Sequence, residues 1–191
     1  MLLQHPSAKR RHVLAAAALA LVTGCGPKSA PATTTTRPPA PAPLIGHLTR
    51  AALQQYASWK SSWERPYAPD AAAVATIKAN ARGVTVLLVL ATWCPDSRRE
   101  VPRYFATMDA AGIGDEVLTI VGVDRSKKDA EGLTGTWAIA RVPTFVFFRG
   151  GREIGRFVEK TPAGSTLEAE VAKILGAGSS RFPPARASQN R

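Results

Sequence analysis

Apolar positions in the middle of the chain recur with two different periods, and each period predicts one kind of element. The runs Val84–Leu90 and Val117–Val123 are almost wholly apolar, which is typical of strands buried on both faces of a sheet. Thr144–Phe148 and Glu153–Val158 flank Arg149-Gly150-Gly151-Arg152, a pattern that favours a β-hairpin. The sequence therefore predicts a sheet of about four to five strands.

Helical spacing fills the intervals before and between these strands. Apolar residues recur at steps of three and four over residues 48–63, which predicts an amphipathic helix that ends before Pro66. Asp70 is a suitable N-cap for a second helix that ends near residue 80. Further helices are predicted over about 95–111, 130–139 and 165–175. Pro102 should kink the first of these, and the order of elements is that of an α/β sandwich.

The N-terminus has the composition of an export signal. Basic residues at positions 9–11 precede the apolar segment Val13–Val22, whose ten residues are too few to span a bilayer as a helix, which needs about 20. The run Val22-Thr23-Gly24-Cys25 resembles the lipobox of bacterial lipoproteins. That resemblance implies cleavage before Cys25 and lipidation of its thiol. The alternative is an ordinary secreted protein, or an uncleaved anchor, in which Cys25 is incidental.

Composition divides the chain into four parts. These are a signal peptide at 1–24, a Pro/Thr/Ala-rich tether at 25–46, a domain at 47–176 with its core from about 70, and a basic tail at 177–191 that is predicted to be disordered. The tails hold eight of the 25 basic residues and none of the 14 acidic ones, which leaves the domain a net charge of +3 out of +11. This near balance argues against nucleic-acid binding. The basic tails suit an anionic lipid surface, or simply keep the protein soluble.

Candidate chemistry is concentrated at Trp93-Cys94-Pro95-Asp96-Ser97, where the first buried strand gives way to a helix. The positive end of a helix dipole stabilises a thiolate, which is the form that attacks disulfides. Arg98 and Arg99 favour the thiolate too, unless they are merely solvated, and Asp96 opposes it. Ser97 stands where a second cysteine would complete a redox pair. Cys94 is therefore predicted to be an exposed nucleophile without a resolving partner.

Both candidate catalytic residues have a plainer interpretation. Cys94 is a structural cysteine if the domain serves only as a binding module. Ser97 either donates a hydrogen bond to the Cys94 sulfur or is a small helix residue with no chemical role. The tryptophans at positions 59, 63 and 137 are interpreted as packing residues rather than as a ligand box.

Four features resemble the thioredoxin family over about residues 70–176. Trp93-Cys94-Pro95-Asp96 resembles the active-site turn, and Pro102 follows Cys94 by eight residues, like the helix-kinking proline of that family. Arg141-Val142-Pro143-Thr144 resembles the segment that contains the family's cis-proline, and the hairpin with Gly150-Gly151 resembles its last two strands. The residues around Cys94 and Pro143 are most similar to envelope proteins of the TlpA/ResA type and their Trp-Cys-x-Asp-Ser relatives.

The resemblance implies a thioredoxin-like three-layer sandwich, with a central mixed sheet of about four to five strands flanked by helices. The helix predicted over residues 48–63 would add an N-terminal helical extension. The resemblance also implies a cis Val142–Pro143 peptide facing Cys94, and Trp93, Pro95, Val142 and Pro143 as substrate-binding residues. The backbone of Val142 would then pair with an extended segment of a client. The alternative is a trans proline that opens an edge strand.

Three departures from the family pattern concern one function. Ser97 replaces the resolving cysteine, Leu88 replaces a buried aspartate that relays protons, and Ile120 aligns with the lysine that partners this aspartate. An acid that helps to deprotonate a resolving thiol has no catalytic role when that thiol is absent. Burial of an unpaired carboxylate also costs folding free energy. The resemblance therefore implies the fold without the dithiol cycle.

The sequence offers few residues for a metal, cofactor or phosphate site. The histidines are His5, His12 and His47, all at or before the start of the domain, so neither a Cys/His metal site nor any cofactor is expected. No glycine-rich phosphate loop is present. We therefore expect a monomeric, lipid-anchored protein of the bacterial envelope, with its domain facing the periplasm or the exterior. It would exchange disulfides with protein clients or small thiols; a non-catalytic binding or assembly lipoprotein is the alternative.

Overall fold

The fold is organised around a mixed sheet that contains five strands within the described residues, 41–181 of a computed structural model. Side chains are described to residue 177. The strand order is β1-β3-β2-β4-β5, in which β2 and β3 are parallel and the other neighbours are antiparallel. The strands are β1 (Gly46–Leu48), β2 (Val84–Leu90), β3 (Leu118–Gly122), β4 (Thr144–Arg149) and β5 (Arg152–Val158).

Helices cover both faces of this sheet, so the predicted α/β sandwich is confirmed. Three of them, α3, α4 and α6, pack against one another on one face, and the short α5 contributes to the cluster on the other. The helices are α1 (Arg50–Gln55), α2 (Lys60–Trp63), α3 (Ala71–Asn80), α4 (Pro95–Ala111), α5 (Leu133–Thr136) and α6 (Leu167–Arg181). Single 3-10 turns cover Ala57–Trp59 and Asp115–Val117.

The central strand β2 supplies side chains to two separate cores. Successive residues of a strand point to opposite faces of its sheet. Val84, Val86, Leu88 and Leu90 accordingly join the larger cluster under α3, α4 and α6. Leu87 and Val89 join a smaller cluster on the opposite face. A strand between two apolar cores is apolar at its buried positions, and Thr85 is the one exposed residue of β2. This explains why the bounds of the strand agree with the prediction.

The ends of two helices follow directly from their capping residues. Asp70 caps α3 by accepting a hydrogen bond from the N–H of Ala73 at 2.8 Å. Helix α4 begins at Pro95 and contains Pro102, and it ends at Gly112, whose φ of +70° is the left-handed conformation that glycine adopts readily. Both helices occupy their predicted ranges.

The N-terminal segment differs from the prediction of one continuous helix. Leu48 lies in β1, α1 follows it, and a 3-10 turn separates α1 from α2. Thr49 starts the helix by accepting from the N–H of Ala52 at 3.2 Å, and Tyr56 stops it in an extended conformation. Tyr56 and Trp59 are buried, and Leu48, Ala52 and Trp63 are partly buried. Four short elements cover this segment in place of one helix.

The ends of the folded part also differ from the predicted boundaries. The Tyr56 hydroxyl donates to the carbonyl oxygen of Pro41, and β1 begins at Gly46, so residues assigned to the tether contact the domain. Helix α6 extends to Arg181, into the segment 177–191 for which composition predicts disorder. Proline-rich composition measures only local preference, and it does not register these tertiary contacts. The signal peptide, Cys25 and residues 182–191 lie outside the described residues.

Candidate functional site

The site is formed where β2 ends and α4 begins. Cys94 is the N-cap residue of α4, with φ −84° and ψ 124°, and Pro95 is the first residue of the helix. Proline suits this position because the first N–H of a helix has no partner within the helix. The Cys94 N–H donates to the carbonyl oxygen of Ala91 at 3.0 Å, which closes a tight turn after the strand. The cysteine therefore lies at the positive end of a 17-residue helix, as the sequence predicts.

The sulfur of Cys94 faces the loop that precedes β4. The Val142–Pro143 peptide is cis, as the resemblance implies. The Cys94 thiol donates to the carbonyl oxygen of Val142, with 3.2 Å between sulfur and oxygen. The structure thus brings together two site residues that are 48 positions apart in the chain.

The predicted exposure of Cys94 is wrong. Only 8% of the residue is accessible, and it belongs to the smaller core cluster together with Ile139 and Val142. The loop before Pro143 packs over the sulfur, and neither the helix position nor the motif indicates how closely it does so. Any reaction at this sulfur therefore uses a narrow approach or a displacement of that loop.

Ser97 supports the backbone of the turn. Its side chain is fully buried, and its hydroxyl accepts from the N–H of Ala91 at 3.3 Å. Ala91 is also the residue whose carbonyl oxygen receives the Cys94 N–H. The hydroxyl of Ser97 thus bonds to the end of β2, whereas the Cys94 thiol bonds to Val142. Ser97 is a positioning residue in this geometry.

The other predicted substrate-binding residues differ in exposure. Pro95 is exposed and Trp93 is partly buried, whereas Val142 and Pro143 are buried. The Arg125 guanidinium lies 5.0 Å from the centroid of the Trp93 ring, a cation–π contact. The indole N–H of Trp93 is buried and has no hydrogen-bond partner among the described residues. Pro95 and Trp93 are therefore the predicted contact residues that an incoming molecule meets first.

Two residues outside the motif hold it in place, and no sequence pattern indicates this role. The indole N–H of Trp59 donates to the carbonyl oxygen of Thr92 at 2.9 Å, and this bond is fully buried. The N–H of Leu44 donates to the Thr92 hydroxyl at 3.1 Å. The N-terminal segment that contains Leu44 and Trp59 therefore binds Thr92, which lies two positions before Cys94. Trp59 is a packing residue as predicted, but periodicity gives no sign of its hydrogen bond.

The two arginines of the first turn, Arg98 and Arg99, differ in their partners. Arg99 binds Asp96 at 2.7 Å and Glu100 at 2.6 Å. Burial lowers the pKa of Arg99, but the hydrogen bonds to Glu100 and Asp96 outweigh it, so its pKa lies above the ordinary value. Glu100 is fully buried and also lies 3.6 Å from Arg103. Arg99 is therefore engaged by carboxylates, and Arg98 is exposed.

The positions of the missing proton relay are neighbours in the sheet. Leu88 on β2 pairs with Ile120 on β3 in the parallel register. Both side chains are buried in the larger core, with accessible fractions of 0% and 5%. The register makes the two positions neighbours, as the resemblance implies for an acid and its partner. Apolar side chains occupy both positions in this chain.

Two further observations concern the described residues as a whole. Between residues 41 and 181, no group of three or more His, Cys, Asp or Glu side chains is arranged to hold a metal ion. Within the same range, no helix has the length and apolar composition that crossing a membrane requires.

Similar proteins agree with this geometry at the level of the fold. A thioredoxin of Oryza sativa subsp. japonica is 28% identical over 144 residues, which cover 75% of this chain and 92% of the relative. A thioredoxin-like protein of Acanthamoeba polyphaga mimivirus is 25% identical over 83 residues, which cover 44% of this chain and 58% of that protein. The chain thus spans little more than half of this viral relative. No protein-family model matches the chain.

A solved structure extends the likeness over most of the chain. The crystal structure of a Pseudomonas aeruginosa protein of unknown function has a TM-score of 0.53 and 16% identity, and the match covers 72% of this chain and 94% of that one. This similarity concerns the fold alone. Together with the sheet order and the sequence relatives, it establishes that the chain has a thioredoxin-like fold.

Proposed function

We propose that this chain is a thiol–disulfide exchange protein that uses Cys94 as its single nucleophile. The observation that carries the proposal is the 3.2 Å contact between the Cys94 sulfur and the Val142 carbonyl oxygen, at the start of α4. This arrangement places a thiol at the positive end of a helix and beside a loop that an extended client can follow. The thioredoxin-like fold supports the same chemistry.

The reaction has two steps, and neither needs a second cysteine. The Cys94 thiolate attacks one sulfur of a client disulfide; that disulfide breaks, a mixed disulfide forms, and the other client sulfur leaves as a thiolate. A thiolate from the client or from a small external thiol then attacks the mixed disulfide and restores Cys94. Attack by the client's own thiolate isomerises its disulfides. Two equivalents of a small thiol instead reduce the client disulfide and become a disulfide themselves.

The apolar Leu88–Ile120 contact supports a monothiol role. A buried acid would serve to deprotonate a resolving thiol, and this chain has Ser97 in place of that thiol. The Ser97 hydroxyl bonds to the backbone at Ala91. Exchange that depends on an external thiol is consistent with both replacements.

The test measures whether Cys94 forms a mixed disulfide in the folded protein. The full chain is incubated with oxidised glutathione, and peptide mass mapping identifies which cysteine carries glutathione. We expect modification of Cys94 under native conditions, none at this position in Cys94→Ser, and retained modification in Ser97→Ala. Modification that occurs only after unfolding in urea would contradict the proposal.

The burial of Cys94 favours a second candidate, a non-catalytic binding or assembly protein that retains the fold. Only 8% of Cys94 is accessible, and a cysteine this buried can serve simply as an apolar residue of the core. This candidate predicts that Cys94→Ser leaves the protein's cellular role intact, whereas exchange chemistry predicts its loss. Thiol blocking in cells, followed by identification of proteins linked to Cys94, separates the two.

We further propose that the chain is a lipoprotein of the bacterial envelope, of the TlpA/ResA type with a Trp-Cys-x-Asp-Ser motif. The support is the sequence: the basic start, the short apolar segment and the lipobox-like run that ends at Cys25. Lipidation at Cys25 would leave Cys94 as the one free thiol of the mature chain. Metabolic labelling of cells with a radioactive fatty acid tests this, since the wild type should carry the label and Cys25→Ser should lose it.

A further inference from the structure

A groove of about 700 Å³ lies along α4, on the side of the helix that faces away from the sheet. One wall is formed by α4 residues at helical spacing, from Pro95 to Asp109, and the other by residues 61–67. Its volume lies in the range of small-molecule sites, which is roughly 300–1,000 Å³. The groove begins at Pro95, which directly follows Cys94 in the chain.

The groove has an excess of positive charge. The acidic residues of its lining are Glu64 and Asp109, and Glu64 lies 3.9 Å from Lys60. Five guanidinium groups line it, which leaves a net charge of +3 on the lining residues. They belong to Arg50, Arg65, Arg98, Arg99 and Arg103.

Three of these arginines are engaged within the protein. Arg50 binds Asp109 through both terminal nitrogens. Arg99 binds Asp96 and Glu100, as described above. Arg103 lies 3.6 Å from Glu100, and its guanidinium is 5.3 Å from the centre of the Tyr67 ring.

The remaining two arginines, Arg65 and Arg98, have free donors. Both are exposed, and neither has a carboxylate oxygen within 4.0 Å among residues 41–177. They come from opposite walls of the groove. A guanidinium carries a planar fork of N–H donors that matches a carboxylate or a phosphate. The lining thus has unused donors of the kind that bind oxyanions.

The walls of the groove are held before any ligand binds. The Tyr67 hydroxyl donates to Glu168 at 2.5 Å, and the N–H of Asp70 donates to the other oxygen of that carboxylate at 3.1 Å. On the same wall, the indole N–H of Trp63 donates to the carbonyl oxygen of Leu53 at 3.2 Å. A preformed site loses less conformational entropy on binding than a mobile one.

We propose that this groove binds a small molecule that carries two or more carboxylate or phosphate groups. Arg65 and Arg98 contact the anionic groups from the two walls. The bound molecule lies beside Pro95 and therefore next to the first turn of α4. The inference goes beyond disulfide exchange, because binding here requires no reaction at Cys94.

The test measures the affinity of the full chain for two probes, citrate and inorganic pyrophosphate, by calorimetry at low ionic strength. Replacement of both free arginines, in Arg65→Gln/Arg98→Gln, should weaken binding by about tenfold or more, because charge-assisted hydrogen bonds are lost. The control Arg82→Gln/Arg152→Gln removes the same charge from two exposed arginines outside the groove, and it should retain the affinity. Tighter binding of citrate would assign the site to carboxylates, and tighter binding of pyrophosphate to phosphates.

Two results would overturn the proposal. One is an equal loss of affinity in the control variant, since net charge alone would then explain binding. The other is a Kd weaker than about 10 mM for both probes. The same titration in Cys94→Ala should give the wild-type affinity. A negative binding result would therefore leave the proposed exchange reaction untouched. Loss of exchange in a Cys94 variant would likewise leave the proposed anion binding untouched.

Discussion

The indole N–H of Trp59 donates a 2.9 Å hydrogen bond to the carbonyl oxygen of Thr92, across 33 positions of the chain. Trp59 is wholly buried, and Thr92 lies two positions before Cys94 in the chain. The cysteine turn is therefore fixed from outside the motif, by the segment between β1 and α2. This bond links Trp59 directly to the turn that positions Cys94.

Replacement of Trp59 by phenylalanine should destabilise the fold and expose the sulfur. Trp59→Phe removes the donor and leaves the Thr92 carbonyl buried without a partner, which costs about 1–3 kcal/mol. Loosening of the turn should also raise the rate at which Cys94 reacts with iodoacetamide, since burial limits that rate. Urea unfolding and the native alkylation rate check the two effects.

Trp63→Phe is the matched control. Trp63 also donates its indole N–H to a carbonyl oxygen, that of Leu53, but this bond lies away from the cysteine turn. We expect this variant to lose stability without any change in the alkylation rate of Cys94. Equal rates in Trp59→Phe and the wild type would show that the hydrogen bond supports the fold and not the site.

Introduction of a thiol at position 97 should convert the site to dithiol chemistry. Ser97 lies one helical turn after Cys94, and its side chain faces the protein interior at the end of β2. In Ser97→Cys the second thiol can attack a mixed disulfide at Cys94 and release the client. We expect an intramolecular disulfide on oxidation, and faster insulin reduction by dithiothreitol than with the wild type.

Ser97→Ala is the control that separates the effect of the new thiol from the effect of losing the Ser97 hydroxyl. Both substitutions remove the hydrogen bond to the Ala91 N–H, which should cost about 1 kcal/mol. Only the cysteine variant should gain insulin reduction. If Ser97→Cys remains as slow as Ser97→Ala, the buried position 97 cannot reach a mixed disulfide at Cys94, and the expected conversion to dithiol chemistry is wrong.

The elements nearest the site could be predicted from the sequence because local signals and tertiary packing agree there. The run Val84–Leu90 is apolar except at the exposed Thr85, because its strand lies between two cores. Helix α4 begins at a proline and ends before a glycine, so local sequence marks both of its ends. These two elements determine the position of Cys94, so the sequence alone predicts that the cysteine lies between the end of β2 and the start of α4.

The N-terminal segment could not be predicted in the same way. Its apolar spacing of three and four residues records which side chains are buried, and a helix is only one means of burying them. Leu48 pairs with Ile120 across the sheet edge, whereas Trp59 enters the core from a 3-10 turn. Pairing with a distant strand leaves no periodic signal in so short a segment. The same holds for the burial of Cys94, which depends on a loop around position 142.

The contact between Leu88 and Ile120 predicts a large penalty for restoring the acid alone. Leu88→Asp places a carboxylate in the larger core with no cation beside it, which should cost about 3–5 kcal/mol of folding stability. Ile120→Lys in the same chain should recover part of that loss, because the two positions are register partners. Urea unfolding of the single and double variants measures the coupling.

Leu88→Asn is the control for the charge, since it has nearly the same shape as the aspartate variant. If charge dominates, Leu88→Asn should be more stable than Leu88→Asp at pH 7, and addition of Ile120→Lys should help only the aspartate. Identical coupling in the asparagine and aspartate pairs would mean that the positions interact through packing and do not form an ion pair.

The acid dependence of stability should involve Glu168, which binds both Tyr67 and the N–H of Asp70. Burial disfavours the charged form of Glu168, but these hydrogen bonds outweigh it, so its pKa lies below the ordinary value. An acid with a depressed pKa stabilises the fold above its unfolded pKa of about 4.3, and that contribution disappears as the pH falls through the folded pKa.

Glu168→Gln should therefore be less stable than the wild type at pH 7, by about 1.5–3 kcal/mol for hydrogen bonds to a charged group. It should also lose less stability between pH 5 and about pH 3, because it has no carboxylate to protonate there. Tyr67→Phe removes one of the two donors and should give an intermediate pH dependence. Urea unfolding at several pH values provides the comparison. Parallel stability curves for the wild type and Glu168→Gln would show that this carboxylate does not govern the acid response.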